Sequence, residues 1–203
     1  MRGDAMIRPV LLSACLLLVL TACSSQREST PQRTATEQLL FSAAADRAAD
    51  KLAFNLAEGT KVFVDASYAE GTDSKYLLSA IRDRIMRKGI DLLNKKEDAE
   101  VVIEPRIGAI SVDADKTLFG IPAIPVPLVG VEVPELALFK RSHQQGVIKI
   151  AATSYNPKTG LLIQSLDPVY GFSNHKEWTA LIFFSWRDND VMPEPDRQQW
   201  IGR

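Results

Sequence analysis

Apolar residues at helical spacing predict two helices in the first half of the chain. After Thr34 they recur every four residues, which is the repeat of one helix face. Thr34 and Glu37 have the spacing of a capping box, so we expect the first helix to run from there to about Leu56. A second apolar stripe predicts a helix over 75–88, which Gly89 would end.

Short runs rich in β-branched residues predict the strands, and these runs are 61–65, 90–93, 99–112, 145–155, 161–166 and 179–186. Pro105 interrupts the third run, so we expect that strand to be bent or to lie at a sheet edge. The turn sequence Asn156–Gly160 predicts that the fourth and fifth runs form a hairpin. This order of elements predicts an α+β fold, or a short α/β unit extended by antiparallel strands, with a single mixed sheet and two helices packed on one face.

An apolar leader precedes these elements. Its apolar run, at positions 10–20, is shorter than the ~20 residues of a membrane span and has the ~7–15 residue length of a signal-peptide core. The run ends in Leu20, Thr21, Ala22 and Cys23, which resembles the lipobox of bacterial lipoproteins. The resemblance implies cleavage before Cys23 and attachment of lipid to its sulfur.

The leader divides the chain into four predicted parts. Residues 1–22 are expected to be a signal peptide, and residues 23–33 to be the lipidated cysteine followed by a flexible polar linker. Residues 34–188 are expected to form a single α+β domain, because the polar or Pro-rich stretches within them are short or apolar. Residues 189–203 are expected to be a C-terminal tail.

The residue after the lipidated cysteine bears on localisation. Ser24 occupies the position where an inner-membrane retention signal would place Asp. Resemblance to Gram-negative lipoproteins therefore implies the outer membrane, at its periplasmic face, rather than the inner membrane. Each buried methylene of an acyl chain such as palmitate contributes about 0.8 kcal/mol, so two or more chains on Cys23 would anchor the protein stably to the bilayer.

Composition and cysteine content exclude several classes of function. The chain has 203 residues with 24 Lys+Arg and 25 Asp+Glu, so its formal charge of −1 gives no field that attracts nucleic acid. Both cysteines, Cys15 and Cys23, belong to the predicted export signal. The exported domain is therefore expected to have no disulfide, no cysteine zinc site and no catalytic thiol.

Motifs for catalysis or cofactor binding are missing from the sequence. His143 and His175 have no second His or Glu at zinc-binding spacing, and both fall in segments that we expect to be loops. There is no phosphate-binding glycine loop and no nucleophile elbow. We therefore predict no catalytic residue, no metal and no cofactor.

Two apolar segments are the candidates for a contact surface. The segment 120–134 contains four prolines and cannot form a regular central strand, so it either folds over the core as a lid or presents its side chains to a partner. The candidate contact residues are Ile124, Pro125, Val126, Pro127 and Leu128. The segment 178–186 is apolar on both faces and is expected to be a central strand, or otherwise an oligomer edge.

Several segments together resemble an uncharacterised family of proteobacterial lipoproteins, known as a domain of unknown function. The segments that carry the resemblance are the lipobox, 35–40, 61–65, 76–81, 98–104, 120–122 and 146–165. The resemblance implies no activity. The strand, helix and hairpin order also looks, more loosely, like the periplasmic α/β module of the curli secretion lipoprotein, although no long amphipathic hairpin is evident in the sequence.

Two functions follow from these expectations. The first is a membrane-anchored, non-catalytic binding or assembly factor of the cell envelope, with the bilayer as one partner through acylated Cys23 and either an envelope protein or a second copy as another. The alternative is an envelope hydrolase that acts on glycan or lipid through dispersed carboxylates such as Glu104 and Asp113. That chemistry requires two carboxyl groups roughly 5–10 Å apart.

Overall fold

Two α-helices, a one-turn 3-10 helix (Lys96–Asp98) and eight strands are found in the described part of the chain in the computed structural model, which comprises residues 32–69, 71, 73–126 and 131–192. The helices are α1 (Ala35–Asp50) and α2 (Ser74–Arg87). The strands are β1 (Lys61–Val64), β2 (Asp91–Leu92), β3 (Val101–Ile121), β4 (Ile124–Val126), β5 (Val131–Val133), β6 (Leu136–Tyr155), β7 (Leu162–Ala180) and β8 (Phe184–Asn189). The compact unit that contains all of them begins at Arg33.

Helix α1 begins with the predicted capping box. The Glu37 amide donates to the Thr34 hydroxyl at 3.2 Å, and the Thr34 amide donates to the Glu37 carboxylate at 2.7 Å. The helix ends at Asp50, earlier than predicted. The apolar repeat continues past that point. Leu52 and Phe54 are buried as the repeat predicts, but they belong to a segment without helical structure.

Helix α2 matches its predicted range closely. Its apolar stripe, formed by Leu77, Ile81 and Ile85, is completely buried. Gly89 follows the helix with a φ of 72°, a left-handed conformation that glycine adopts without steric cost. At the other end, Asp73 precedes the helix but makes no capping hydrogen bond with its side chain, and it instead pairs with Arg33.

One mixed sheet of six strands confirms the predicted α+β class. Its strand order is β2-β1-β3-β6-β7-β8. The first three strands are parallel to one another, and the other neighbours are antiparallel. Both helices share a single core with one face of this sheet, in which Ile103, Ile148 and Ile150 are completely buried. Beside it, β4 and β5 pair as a short two-stranded sheet.

Pro105 lies within β3, which is an interior strand rather than a sheet edge. The carbonyl of Ile103 accepts the Asp65 amide just after β1, so residue 103 directs its backbone groups toward β1. Residue 105 has the same orientation two positions later, because backbone groups alternate along a strand. Pro105 has no N–H to continue this ladder, and its position is where the pairing with β1 ends.

The antiparallel strands are much longer than the sequence predicts. β3, β6 and β7 have 21, 20 and 19 residues, and they include His143 and His175, which were expected in loops. The expected strand at 179–186 is wrong, since the chain turns at 181–183 between β7 and β8. These extensions lack a regular alternation of polar and apolar residues, because both faces of the ribbon are largely exposed, so no strand pattern identifies them in the sequence.

The helices cover only part of the long strands. The Ser173 hydroxyl donates to the Leu40 carbonyl at 2.5 Å, and α1 continues from there toward Gly171. Among the described residues of 113–121 and of the β6, β7 and β8 segments paired with it, Ala137 alone is a buried apolar residue, and none belongs to the core cluster that the helices share. These nine residues of β3 extend the sheet by about 30 Å beyond the core, and we call this part the projecting end.

Candidate functional site

The tip of the projecting end carries a group of exposed apolar side chains. We call it the apolar cap, and its members are Phe119, Ile121, Leu136, Leu138, Phe139, Leu181, Ile182, Phe183 and Phe184. Phe183 is 83% exposed, Phe119 is 68% exposed and Phe184 is 64% exposed. A contiguous apolar surface of this kind on a folded domain marks a contact with a protein, a membrane or a ligand.

Strand register assembles the cap from three separate parts of the chain. Phe119 pairs with Phe139, and Ala180 pairs with both Phe139 and Phe184, so these residues form one row on one face of the sheet. The turn 181–183 closes the tip next to this row. The Leu181 amide donates to the Leu138 carbonyl at 2.9 Å, which fixes the turn against β6.

The turn that carries the cap adopts an unusual backbone conformation. Leu181 has a φ of 50° and Ile182 has a φ of 68°. This left-handed region costs roughly 1–2 kcal/mol for a residue with a Cβ, and a β-branched residue is rarely found there. Such strain persists where the side chains have a use that glycine would not provide.

A pair of tryptophans lies directly behind the cap. Trp178 and Trp186 are cross-strand partners, and their rings stack at 6.0 Å between centroids. Thr117 and Arg141 occupy the same row of the sheet. Tryptophan combines a large apolar ring with one N–H donor, so it suits a boundary between apolar and aqueous surroundings.

Charged residues follow behind the tryptophans. We call this group the charged collar, and its members are Asp115, Lys116, Lys176, Glu177, Arg187 and Asp188. Arg187 pairs with Glu177 at 3.0 Å, and the Nε2 atom of His175 lies 3.1 Å from the same carboxylate. The face of the projecting end that carries Phe119 and the tryptophans is therefore layered along its length, from apolar tip to tryptophan pair to mixed charge, whereas the opposite face carries the Lys140–Glu135 pair nearer the tip.

A cleft between α1 and α2 is the second candidate. It has a volume of about 610 Å³, and its lining includes Asp46, Asp50, Asp83 and Tyr76. Burial raises the pKa of Asp46, and repulsion from Asp50 and Asp83 raises it further, although the hydrogen bond from Tyr76 at 3.1 Å partly offsets this. The other two carboxylates are paired with arginines of α2, so the cleft has no excess of unpaired acid.

The predicted contact segment lies at the same end of the molecule as the cap. Ile124 and Pro125 belong to β4, and Ile124 is 48% exposed. Val126 ends this strand, whereas Pro127 and Leu128 lie outside the described residues. No described residue of the Pro-rich segment belongs to the core, so the expectation of a core lid does not hold for the part that the structure describes.

The lipobox residues Leu20, Thr21, Ala22 and Cys23 also lie outside the described residues. Their assignment stays a prediction from sequence. Within the described residues, neither helix combines the length and the apolar character that a bilayer-spanning helix requires.

The two carboxylates considered for hydrolysis do not meet. Glu104 and Asp113 lie on the same strand, nine positions apart, which corresponds to about 30 Å in an extended chain. Glycoside hydrolysis by a carboxyl pair requires a separation of roughly 5–10 Å. This pair therefore cannot act together in one chain.

The histidines have structural partners in the sheet. The Nε2 atom of His143 lies 3.1 Å from the Asn174 amide oxygen across the β6–β7 pair, and His175 is buried beside Glu177. Among the described residues, no group of three or more His, Cys, Asp and Glu side chains is arranged to hold a metal ion.

Sequence reasoning missed most of the apolar cap. Phe119 and Phe139 were not identified as contact residues, and Phe184 lies in the segment 178–186, for which an oligomer edge was only the alternative to a central strand. One signal was available in the short apolar runs 136–139 and 181–184, each of which is adjacent to charged or polar residues. Only the strand register shows that these runs meet at one tip.

Comparison with known proteins places the chain in an uncharacterised group. A model described as a family of unknown function (DUF6655) matches residues 19–172. This match covers the predicted lipobox, both helices and most of the sheet. No curated protein matches the chain.

Proposed function

The chain belongs to DUF6655, a family of unknown function, and we propose that it is a lipid-anchored bacterial lipoprotein that binds a component of the cell envelope without catalysing a reaction. It would be a proteobacterial lipoprotein of the outer membrane, with acyl chains on Cys23 and its domain at the periplasmic face. The apolar cap would be the contact surface.

The anchoring part of this proposal rests on sequence. Four features agree: basic residues at the start, an apolar run of signal-peptide length, the box that ends at Cys23, and a polar linker after it. The family match begins at residue 19, so the region of the box belongs to the matched segment. The looser likeness to the periplasmic module of the curli secretion lipoprotein supports an envelope location at the level of fold alone.

The binding part rests on one observation, which is the exposure of the apolar cap. Large apolar side chains on a monomer are ordinarily scattered, whereas here they are gathered at the tip of a ribbon that extends about 30 Å from the core. Exposing Phe183 and Phe184 to water is unfavourable unless another surface covers them. Their position at the tip makes them accessible to a large partner.

An envelope hydrolase is the less supported proposal. Its motivating carboxylates, Glu104 and Asp113, lie about 30 Å apart on β3. The acidic cleft between the helices does contain carboxylates, but Asp50 and Asp83 are engaged by Arg84 and Arg87.

Anchoring is tested by Cys23→Ala in intact cells that are supplied with labelled palmitate. We expect the unchanged chain to incorporate the label and to fractionate with the outer membrane. The Cys23→Ala chain should lose both properties. Equal labelling or equal membrane association of the two chains would contradict the proposed anchor.

Binding is tested by a photoreactive amino acid at Phe183 in intact cells, with the same probe at Leu161 as the control. Leu161 is 68% exposed but lies at the other end of the β6–β7 hairpin. A cross-linked product specific to position 183 is expected, and deletion of 124–128 should reduce it while leaving the melting temperature unchanged. Identical products at both positions would contradict binding through the cap.

A further inference from the structure

We propose that the component bound by the apolar cap is the lipid bilayer itself, and that the cap inserts into the interfacial layer of the membrane that holds the acyl chains of Cys23. This inference rests on the proposed function, because it assumes a chain that is exported to a membrane surface. It adds a second, protein-based membrane contact to the lipid anchor.

The apolar side chains of the tip are distributed as in an element that lies in the membrane interface. Phe119, Phe139 and Phe184 lie on one face of the ribbon, and Leu181, Ile182 and Phe183 cover the turn beside them. The next row faces the opposite side and joins Leu118 to Lys140, Thr179 and Ser185, and Lys140 pairs with Glu135 at 2.6 Å. One apolar face and one polar face suit an element whose apolar side is buried in the interfacial layer while its polar side remains at the headgroups.

The layers along the projecting end correspond to those of a membrane surface. Apolar side chains form the tip, the Trp178–Trp186 pair lies behind them, and the charged collar follows. Tryptophan is enriched at the level of lipid headgroups, and charged side chains remain in the aqueous layer. On the face that carries Phe119 and the tryptophans, the order apolar, tryptophan, charged is therefore the order expected for an element in the membrane interface, and the Lys140–Glu135 pair belongs to the other face.

The depth of this arrangement fits shallow insertion. Ile121, at the end of β3, lies four strand positions beyond Thr117 in the tryptophan row. This corresponds to about 13 Å along the strand. Apolar elements that bind in the membrane interface are buried by about 5–10 Å into the boundary between headgroups and acyl chains. The cap can therefore reach the acyl region while the charged collar stays in water.

The route of the chain into the domain also fits. Leu40 lies beside Gly146 and Ser173, and Ala44 lies beside Gly171. The first turn of α1 is therefore nearer to the cap than its last turn is. Seven strand positions, or about 23 Å, separate Gly146 from the cap row at Phe139. The ten residue-to-residue steps from Cys23 to Arg33 span at most about 35 Å when extended. An acyl chain on Cys23 and the cap can thus enter the same bilayer.

The test uses the absence of other thiols in the exported chain. Cys15 would be removed with the leader and Cys23 would be acylated, so a cysteine introduced at Phe183 can be labelled alone with an environment-sensitive fluorophore. Lys158→Cys is the control, because Lys158 is exposed in the turn at the other end of the β6–β7 hairpin. Both acylated chains are reconstituted into vesicles of phosphatidylethanolamine and phosphatidylglycerol.

We expect the label at position 183 to show a blue-shifted emission and a several-fold increase in intensity, and to be quenched when the acyl chains carry bromine. The label at position 158 should show neither effect. Equal behaviour of the two labels would overturn the proposal. A shift at position 183 that needs no vesicles and grows with protein concentration would overturn it in favour of contact with a second copy.

A second measurement separates the cap from the anchor. In a Cys23→Ala background, flotation with the same vesicles is compared for Phe183→Asp/Phe184→Asp and for Leu161→Asp, all of which change exposed side chains. We expect the double substitution to reduce flotation at least five-fold, with an unchanged melting temperature, and Leu161→Asp to have no effect. Equal flotation of all three chains would overturn insertion while leaving the anchor intact. If Cys23→Ala does not alter membrane association in cells, the anchor fails while insertion of the cap still stands on these vesicle data.

Discussion

Gly171 lies so close to Ala44 that a Cβ atom on the glycine would overlap the carbonyl oxygen of the alanine. This contact brings the backbone of α1 directly against β7, and it explains why the buried face of the helix is made of alanines. Gly146 makes a similar approach to Leu40 on the neighbouring strand. Small residues on both sides thus set the distance between helix and sheet.

Gly171→Ala is expected to reduce the free energy of unfolding by about 3 kcal/mol, because the backbone atoms that it meets cannot move without shifting α1. Gly108→Ala is the control, since the added Cβ there would meet only the flexible side chain of Lys149 at 3.0 Å. That change should stay within about 1 kcal/mol. Urea unfolding measures both, and equal losses would contradict the packing explanation.

The N-terminal cap of α1 gives a second prediction. Thr34→Ala removes the hydroxyl that accepts the Glu37 amide at 3.2 Å, so unfolding should become easier by about 1 kcal/mol. Thr34→Ser keeps the hydroxyl and should change the stability by only a few tenths of that amount. Thermal unfolding followed by circular dichroism compares the variants, and a Thr34→Ser chain as unstable as Thr34→Ala would argue against capping.

The elements that depend on a pattern of adjacent residues could be predicted from the sequence. The capping box at Thr34, the stripe of α2 and the Asn156–Gly160 hairpin each follow from a few adjacent residues, and the structure contains all three. The α+β class also follows from their order. Elements without a local apolar pattern were not predictable, and the extensions of β3, β6 and β7 are of this kind.

The turn at 181–183 shows why the site was harder to predict than the fold. A run of leucine, isoleucine and phenylalanine reads as a buried strand, and neither Gly nor Asn indicates a left-handed turn there. Only pairing with β6 and β8 forces the reversal. The apolar cap depends on that register, so no single segment of the sequence predicts it.

Asp46 predicts a dependence of stability on pH. Burial raises the pKa of this carboxyl, with repulsion from Asp50 and Asp83 adding to the rise, so its ionisation opposes folding. The stability that this group contributes is present below pH 3.8, which is its pKa in the unfolded chain. It is lost as pH rises through the higher pKa of the folded chain. Asp46→Asn should therefore stabilise the chain near pH 7 by less than about 1 kcal/mol, since the side chain is exposed, and the gain should vanish at acidic pH.

Urea unfolding between pH 4 and pH 7 measures this difference. Tyr76→Phe is the matched variant, because it removes the hydroxyl that donates to Asp46 at 3.1 Å and otherwise lowers its pKa. The loss of stability with rising pH should then be larger than in the unchanged chain. An Asp46→Asn chain whose advantage is the same at every pH would show that ionisation is not the cause.

Asp65 should behave in the opposite way. Hydrogen bonds from Ser67, together with Lys96 at 3.1 Å, lower the pKa of Asp65 although partial burial opposes the shift. The stability that Asp65 contributes is therefore present above pH 3.8, which is its pKa in the unfolded chain. It is lost as pH falls through the lower pKa of the folded chain. Asp65→Asn is expected to destabilise the chain at pH 7, and this loss should shrink as pH falls below 3.8, the pKa of Asp65 in the unfolded chain. A loss of the same size at every pH would show that Asp65 acts through packing instead of charge.

The strained turn of the cap gives the last prediction. Ile182 has a φ of 68° and is 47% exposed, so Ile182→Gly removes the backbone strain together with the contacts of the half of the side chain that is buried. We expect the free energy of unfolding to rise by about 1 kcal/mol. Phe183→Gly is the control, since Phe183 is not among the residues with positive φ, and it should give no such gain.

The same substitution should weaken membrane contact, because it removes an apolar side chain from the tip. Ile182→Gly would then be more stable than the unchanged chain and yet show reduced flotation with vesicles. A glycine at this position would satisfy the backbone but not the proposed membrane contact, and such a conflict would account for an isoleucine in a left-handed turn. A variant that gains stability and floats unchanged would show that the strain serves no membrane contact, whereas one that loses stability would show that the side chain is held by packing.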